Sequence, residues 1–142
     1  MRAYAVIDTN VLVSSMLTKR RDSPTSRVVD AIASGDIVPL YNDEILAEYE
    51  DVLRRPKFPF SDKAVGALIG VVRELGVRLD PSPTGEILPD LDDPVFYEVV
   101  MEKRGGDDAY LVTGNIRHFP ERSFIVTPAE MMEILDGRDA LK

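Results

Sequence analysis

Short apolar runs alternate with helical patterns along the chain. Five runs have the length and composition of buried strands, at residues 4–7, 37–41, 77–79, 110–113 and 124–126. Helical periodicity and helix-starting residues predict helices at residues 10–18, 24–33, 43–55, 61–75, 93–103 and 128–135. Because strands separated by helices pair in parallel, we predict an α/β fold. We expect a single domain over residues 1–142, with a central parallel sheet of about five strands and helices on both faces.

Composition limits the chemistry that the chain can perform. The sequence has no Cys, which excludes disulfides, zinc–thiolate sites and cysteine nucleophiles. No apolar run approaches the roughly 20 residues of a membrane span, so we expect a cytoplasmic protein without a membrane partner. The net charge of −8 argues against tight, non-specific binding of nucleic acid over the whole surface. It leaves room for a local basic rim.

Asp8 follows the first apolar run directly and is the strongest candidate for a functional residue. The carboxyl ends of parallel strands meet at one edge of a sheet, where Asp8, Asn10 and, after the fourth run, Asn115 should lie. A carboxylate among apolar neighbours requires a positive partner, and a hard divalent cation with oxygen ligands is the usual one. The alternative is that Asp8 only caps the following helix.

Further carboxylates could join Asp8. Glu48 lies at the border of an apolar stripe in the third helix, where it either points into a cleft or is an ordinary exposed helical Glu. Asp92 and Asp93 precede Pro94 at the predicted start of a helix, so one of them should be the N-cap residue. A capping Asp that faces the strand ends can also bind a metal ion, and Asp93 is the preferred candidate.

Four segments, in order along the chain, resemble the motifs of PIN-domain nucleases. They are Val6-Ile7-Asp8-Thr9-Asn10, Glu44 to Tyr49 with Val52 to Phe58, Asp92-Asp93-Pro94-Val95-Phe96, and Tyr110 to Asn115 followed by Arg117-His118-Phe119-Pro120. The junction Val126-Thr127-Pro128 is also similar to the closing strand and helix of the family. The chain looks most like the branch that supplies toxin components of bacterial toxin–antitoxin pairs.

The resemblance implies a single PIN-like domain that hydrolyses RNA phosphodiester bonds with a metal-activated water. It assigns the catalytic and metal-binding roles to Asp8, Glu48 and Asp93, with Mg2+ or Mn2+ as the cofactor. Auxiliary positions are Asn10, Asp92, Thr113 and Asn115, and the RNA contacts are Arg117, His118 and Lys57. The expected partners are the RNA substrate, an antitoxin protein and a second copy of the chain.

One position departs from the family pattern. Many PIN nucleases have Asp where this chain has Asn115, and an amide brings neither charge nor a base. The alternative function is therefore a degenerate PIN fold that binds RNA or a protein partner without cutting. A phosphatase of the haloacid dehalogenase class is disfavoured because it needs a second Asp at the position of Asn10. A receiver domain is disfavoured because it needs a Lys after an apolar strand, and no Lys follows any predicted strand in the right place.

Overall fold

A computed structural model of the chain describes residues 3–80, 95–104, 106 and 108–140. Its strands are β1 (Ala3–Ile7), β2 (Ile37–Tyr41), β3 (Val77–Arg78), β4 (Ala109–Val112) and β5 (Ile125–Val126). Its helices are α1 (Thr9–Leu17), α2 (Pro24–Ser34), α3 (Asp43–Leu53), α4 (Asp62–Leu75), α5 (Val95–Arg104) and α6 (Pro128–Ala140). A short 3-10 helix, η1, spans Ile116–His118.

The strands form one parallel sheet in the order β3-β2-β1-β4-β5. This arrangement confirms the predicted α/β fold. The chain moves outward from β1 through β2 to β3 and then returns to the other side of β1, where β4 and β5 lie. Right-handed crossovers in opposite directions place their helices on opposite faces of the sheet. The order changes direction between β1 and β4, which is where parallel sheets open a crevice for ligands.

Helix α3 is fixed where the chain leaves β2. The side-chain oxygen of Asn42 accepts a hydrogen bond from the main-chain N–H of Ile45 at 2.9 Å, which caps the helix. Arg78 of β3 donates two hydrogen bonds to the Asp43 carboxylate, at 3.2 and 2.9 Å. One face of α3, including Tyr49, is buried, and Glu48 is half-buried at its border. The cap at Asn42 and the ion pair at Asp43 thus fix the start of α3 next to β2 and β3.

Several element ends differ from the predicted ones, most by one or two residues and the end of α6 by five. Helix α3 ends at Leu53 because the N–H of Arg55 bonds to the carbonyl of Val52. That tighter turn stops the helix before Pro56. Strand β4 begins one residue earlier than predicted, and α6 continues to Ala140, beyond the predicted end at Leu135.

Two predicted features lie outside the residues that the structure describes. They are the Pro-rich connection with Pro81, Pro83 and Pro89, and the segment that holds Asp92 and Asp93. In the described part of the chain, every helix is too short or too polar to cross a membrane.

Gly76, between α4 and β3, should tolerate no side chain. A Cβ there would press against the carbonyl oxygens of Val72 and Pro39, within 2.5 Å of the latter, and main-chain atoms cannot move aside cheaply. We expect Gly76→Ala to lower the free energy of unfolding by about 1–3 kcal/mol in urea titrations. Gly66, inside α4 with open space around its Cα, is the matched control, and Gly66→Ala should be stabilising by about 0.5–1 kcal/mol. Equal effects at the two positions would contradict the steric argument.

Candidate active site

The carboxylate of Asp8 is held at the carboxyl end of β1 by residues from two segments. The hydroxyl of Thr113, just after β4, donates a hydrogen bond to Asp8 Oδ2 at 2.7 Å. The side-chain amide of Asn10 donates to the same oxygen at 3.1 Å. Asp8 occupies the N-cap position of α1, yet its side chain makes no capping hydrogen bond. The carboxylate is thus bonded to Asn10 and Thr113 at the strand ends, and the main-chain N–H groups of Thr9 and Asn10 in the first turn of α1 also stabilise its charged form.

Asn10 also connects Asp8 with the loop that follows β4. Its side-chain oxygen accepts a hydrogen bond from the main-chain N–H of Gly114 at 3.0 Å. A Cβ at Gly114 would lie 3.3 Å from that oxygen, so the close approach favours glycine. The main-chain N–H of Asn115 donates to the Thr113 hydroxyl at 2.9 Å. These bonds make the ends of β1 and β4 one hydrogen-bonded unit.

Burial dominates the electrostatics of Asp8. The half-buried carboxyl group is removed from water, and this desolvation raises the pKa of Asp8 above its ordinary value. The hydrogen bond from Thr113 and the charge of His118 offset part of that rise. Thr113 and Asn10 both direct their side-chain hydrogen bonds to Oδ2, and the main-chain N–H groups of Thr9 and Asn10 also stabilise the carboxylate. A cation at this position would relieve the cost of the buried charge.

Glu48 reaches the same end of the sheet from α3. The hydroxyl of Thr9, the residue after Asp8, donates a hydrogen bond to Glu48 Oε2. Thr9 is buried, whereas Glu48 is half-buried. The structure thus places Glu48 against Thr9, the neighbour of Asp8, with Asn10 and Thr113 bonded to Asp8 itself. Oxygen donors of this kind suit hard divalent cations such as Mg2+.

A cleft of about 560 Å³ lies at the loop that follows β4, and its described lining includes neither Asp8 nor Glu48. The described residues lining it are Gly114, Asn115, Ile116, Arg117, His118 and Thr127. Arg117 and His118 are exposed there, and the side chain of Asn115 is exposed too. Lys57 lies apart from these lining residues, in the connection between α3 and α4, with Nζ 5.1 Å from the centre of the Phe58 ring. The structure therefore groups two of the three predicted RNA-contacting residues.

A family model described as PIN domain matches residues 4–117. The chain belongs to the PIN-domain family. Comparisons with curated proteins and with solved structures gave no match. PIN domains are typically metal-dependent nucleases, so membership supports a nuclease-type, hydrolytic function in general. The matched segment contains Asp8, Glu48 and the loop after β4 as far as Arg117, so it covers most of the site described above.

The residues present fit a divalent cation, although only part of the expected ligand set can be located. Among the described residues, no three acidic or His side chains come close enough together to form a metal site. Asp8 and Glu48 supply two carboxylates, and the third predicted ligand, Asp93, lies with Asp92 outside the described residues. The fit therefore rests on the oxygen donors of this pair and on the buried charge of Asp8.

Two residues of the site were not assigned a role from the sequence. Thr9 belongs to the Asp-Thr-Asn motif but has no predicted function, and Tyr49 lies on the apolar, buried face of α3. The structure bonds Thr9 to Glu48 and the Tyr49 hydroxyl to the main chain of β1. For Thr9, a hydroxyl next to a strand-end carboxylate was the available signal. The apolar stripe predicts that Tyr49 is buried but gives no acceptor for its hydroxyl.

Replacing Asp8 with Asn should stabilise the metal-free protein at neutral pH. Because burial raises the pKa of Asp8, the ionised carboxylate disfavours the folded state at pH values above that pKa. The penalty fades as the pH falls and the group becomes protonated. In chelator at pH 7, Asp8→Asn should therefore melt higher than wild type, and the difference should shrink as the pH is lowered.

Asp22→Asn, at an exposed position, gives the baseline for replacing a surface carboxylate. An Asp8→Asn variant that unfolds, or that melts below wild type at every pH, would contradict the interpretation. It would indicate that the charged form of Asp8 supports the fold.

Proposed function

We propose that this PIN domain is a Mg2+- or Mn2+-dependent endoribonuclease and the toxin component of a toxin–antitoxin pair. The observation that carries the proposal is the carboxylate pair Asp8 and Glu48, joined through Thr9 at the carboxyl end of β1. Together with Asp93, this pair would hold the cation. RNA is the proposed substrate because PIN nucleases act on nucleic acids and the exposed side chains of Arg117 and His118 line the cleft after β4.

The chain's own residues would prepare the reaction. Thr113 and Asn10 hold one oxygen of Asp8 in place, and Thr9 holds one oxygen of Glu48, so neither carboxylate must be ordered when substrate arrives. A bound Mg2+ or Mn2+ supplies a water of lowered pKa and neutralises charge that develops on the phosphate. No covalent nucleophile is required.

Substrate would lie along the cleft that follows β4. Arg117 and His118 would contact phosphates on either side of the scissile bond, with Lys57 further out. Asn115 lines the same cleft and would bind or orient a water through its amide, without adding charge. Such local contacts would offset the acidic net charge where substrate binds.

RNA cleavage tests the enzyme directly. A pool of labelled single-stranded RNA and tRNA should be cut in Mg2+ or Mn2+ and left intact in chelator. Asp8→Asn and Glu48→Gln should each lower the rate by roughly 100-fold or more, because each removes a charged ligand. Glu44→Gln, an exposed carboxylate one turn earlier on α3, is the matched control and should cut at the wild-type rate.

Two outcomes would count against the proposed activity. Cutting that persists in folded Asp8→Asn would move the active site elsewhere. If no folded variant, wild type included, cuts RNA with any metal, the non-cutting fold becomes the better explanation. In that case wild type and Asp8→Asn should bind RNA or a protein partner equally.

The toxin role has a cellular test. Induced expression of the wild-type chain should arrest growth of a bacterial host, because cleavage of essential RNA stops translation. Asp8→Asn, expressed to the same level, should leave growth unchanged. Equal growth arrest by wild type and Asp8→Asn would show that the toxicity does not depend on the proposed site. The same role implies a cytoplasmic protein, a small antitoxin that blocks the cleft, and a homodimer, which co-purification and light scattering would reveal.

A further inference from the structure

A buried hydrogen bond joins the residues next to the two carboxylates. The Tyr49 hydroxyl donates to the main-chain carbonyl of Ile7 at 2.5 Å, across 42 positions of sequence. Tyr49 directly follows Glu48 on α3, and Ile7 directly precedes Asp8 at the end of β1. The bond therefore links α3 to β1 at the point where each carries its carboxylate.

The Ile7 carbonyl needs a donor from outside the sheet. Residue pairing between β1 and β2 ends at Ala5, opposite Pro39. The N–H of Asp8 faces β4, where it bonds to the carbonyl of Val112 at 2.9 Å. In a planar trans peptide the carbonyl points the opposite way, so the Ile7 oxygen faces the β2 side beyond the paired region. A buried carbonyl without a donor is costly, and the Tyr49 hydroxyl supplies one.

The side chain of Tyr49 is fixed in place by the packing around it. It is fully buried, and its ring packs against that of Phe96 in α5, with centroids 6.3 Å apart. Burial and then the charges of Asp8 and Glu48 raise the pKa of Tyr49 well above its ordinary value. An ordinary phenol, with a pKa of about 10, is already protonated at neutral pH, so the Tyr49 hydroxyl can donate this bond.

We propose that Tyr49 is a positioning residue for the acidic pair. Its hydroxyl fixes α3 against the carboxyl end of β1, which holds Glu48 at the separation from Asp8 that a shared divalent cation requires. The Thr9–Glu48 hydrogen bond orients the Glu48 side chain, whereas the Tyr49–Ile7 bond locates the helix that carries it. The inference rests on the proposed metal-dependent function.

Mn2+ binding to the full chain tests the role. Tyr49→Phe removes only the hydroxyl, and Tyr41→Phe is the matched control because the buried Tyr41 hydroxyl also donates to a main-chain carbonyl, that of Arg73, at 3.3 Å. In calorimetric titrations with Mn2+ alone, Tyr49→Phe should raise the dissociation constant about tenfold or more. Tyr41→Phe should lower the Tm without changing Mn2+ affinity. Wild-type Mn2+ affinity in folded Tyr49→Phe would overturn the inference.

A second measurement in chelator separates this inference from the metal proposal. If the Tyr49 and Thr9 hydroxyls together fix α3 against the end of β1, their effects on stability are coupled. The Tm loss from Tyr49→Phe should then change markedly in a Thr9→Val background. The loss from Tyr41→Phe should be the same in both backgrounds. Additive losses for Tyr49→Phe and Thr9→Val would overturn the positioning role. If wild type binds no Mn2+, the metal proposal fails, and this cycle alone decides the role of Tyr49.

Discussion

The hydrogen bond between Thr113 and Asp8 is the contact on which the site depends. It spans 105 positions of sequence and joins the ends of the two strands between which the sheet order reverses. Parallel pairing from Tyr4 opposite Ala109 to Ile7 opposite Val112 brings the two residues side by side. The hydroxyl then compensates a carboxylate that burial would otherwise penalise. The register of β1 and β4 and the Thr113–Asp8 hydrogen bond therefore favour the same position for the Asp8 carboxylate.

The acidic pair is assembled by three kinds of contact with different reach. Strand pairing sets Asp8 beside the loop after β4. The Thr9 hydroxyl connects neighbouring segments over a short distance, and the Tyr49 hydroxyl connects a helix to the main chain of the central strand. Such sites lose entropy when they fold, and less remains to be lost when a ligand binds.

Much of the fold could be predicted because strand and helix patterns are distinct in this chain. Ser23, Asn42 and Ser61 mark helix starts that their side chains cap in the structure. The 3-10 helix η1 was missed because three residues carry no period. That Asp8 lies near the loop after β4 followed from the rule that parallel strand ends converge, whereas the auxiliary role of Thr113 was implied only by the family resemblance. The partners of Thr9 and Tyr49 did not follow, since a hydroxyl's acceptor depends on tertiary packing that periodicity does not encode.

Within the part of the chain that the structure describes, Asn115 contributes to the framework at the end of β4 through its main chain. Its N–H bonds to Thr113, while its exposed side chain makes no capping bond to η1. The backbone there would be the same with an amide or a carboxylate at this position. Replacing Asn115 with Asp would therefore add a negative charge at the cleft without changing the main-chain bond to Thr113. Electrostatic strength and architecture are thus separable traits in this protein, and selection can act on one while the other stays fixed.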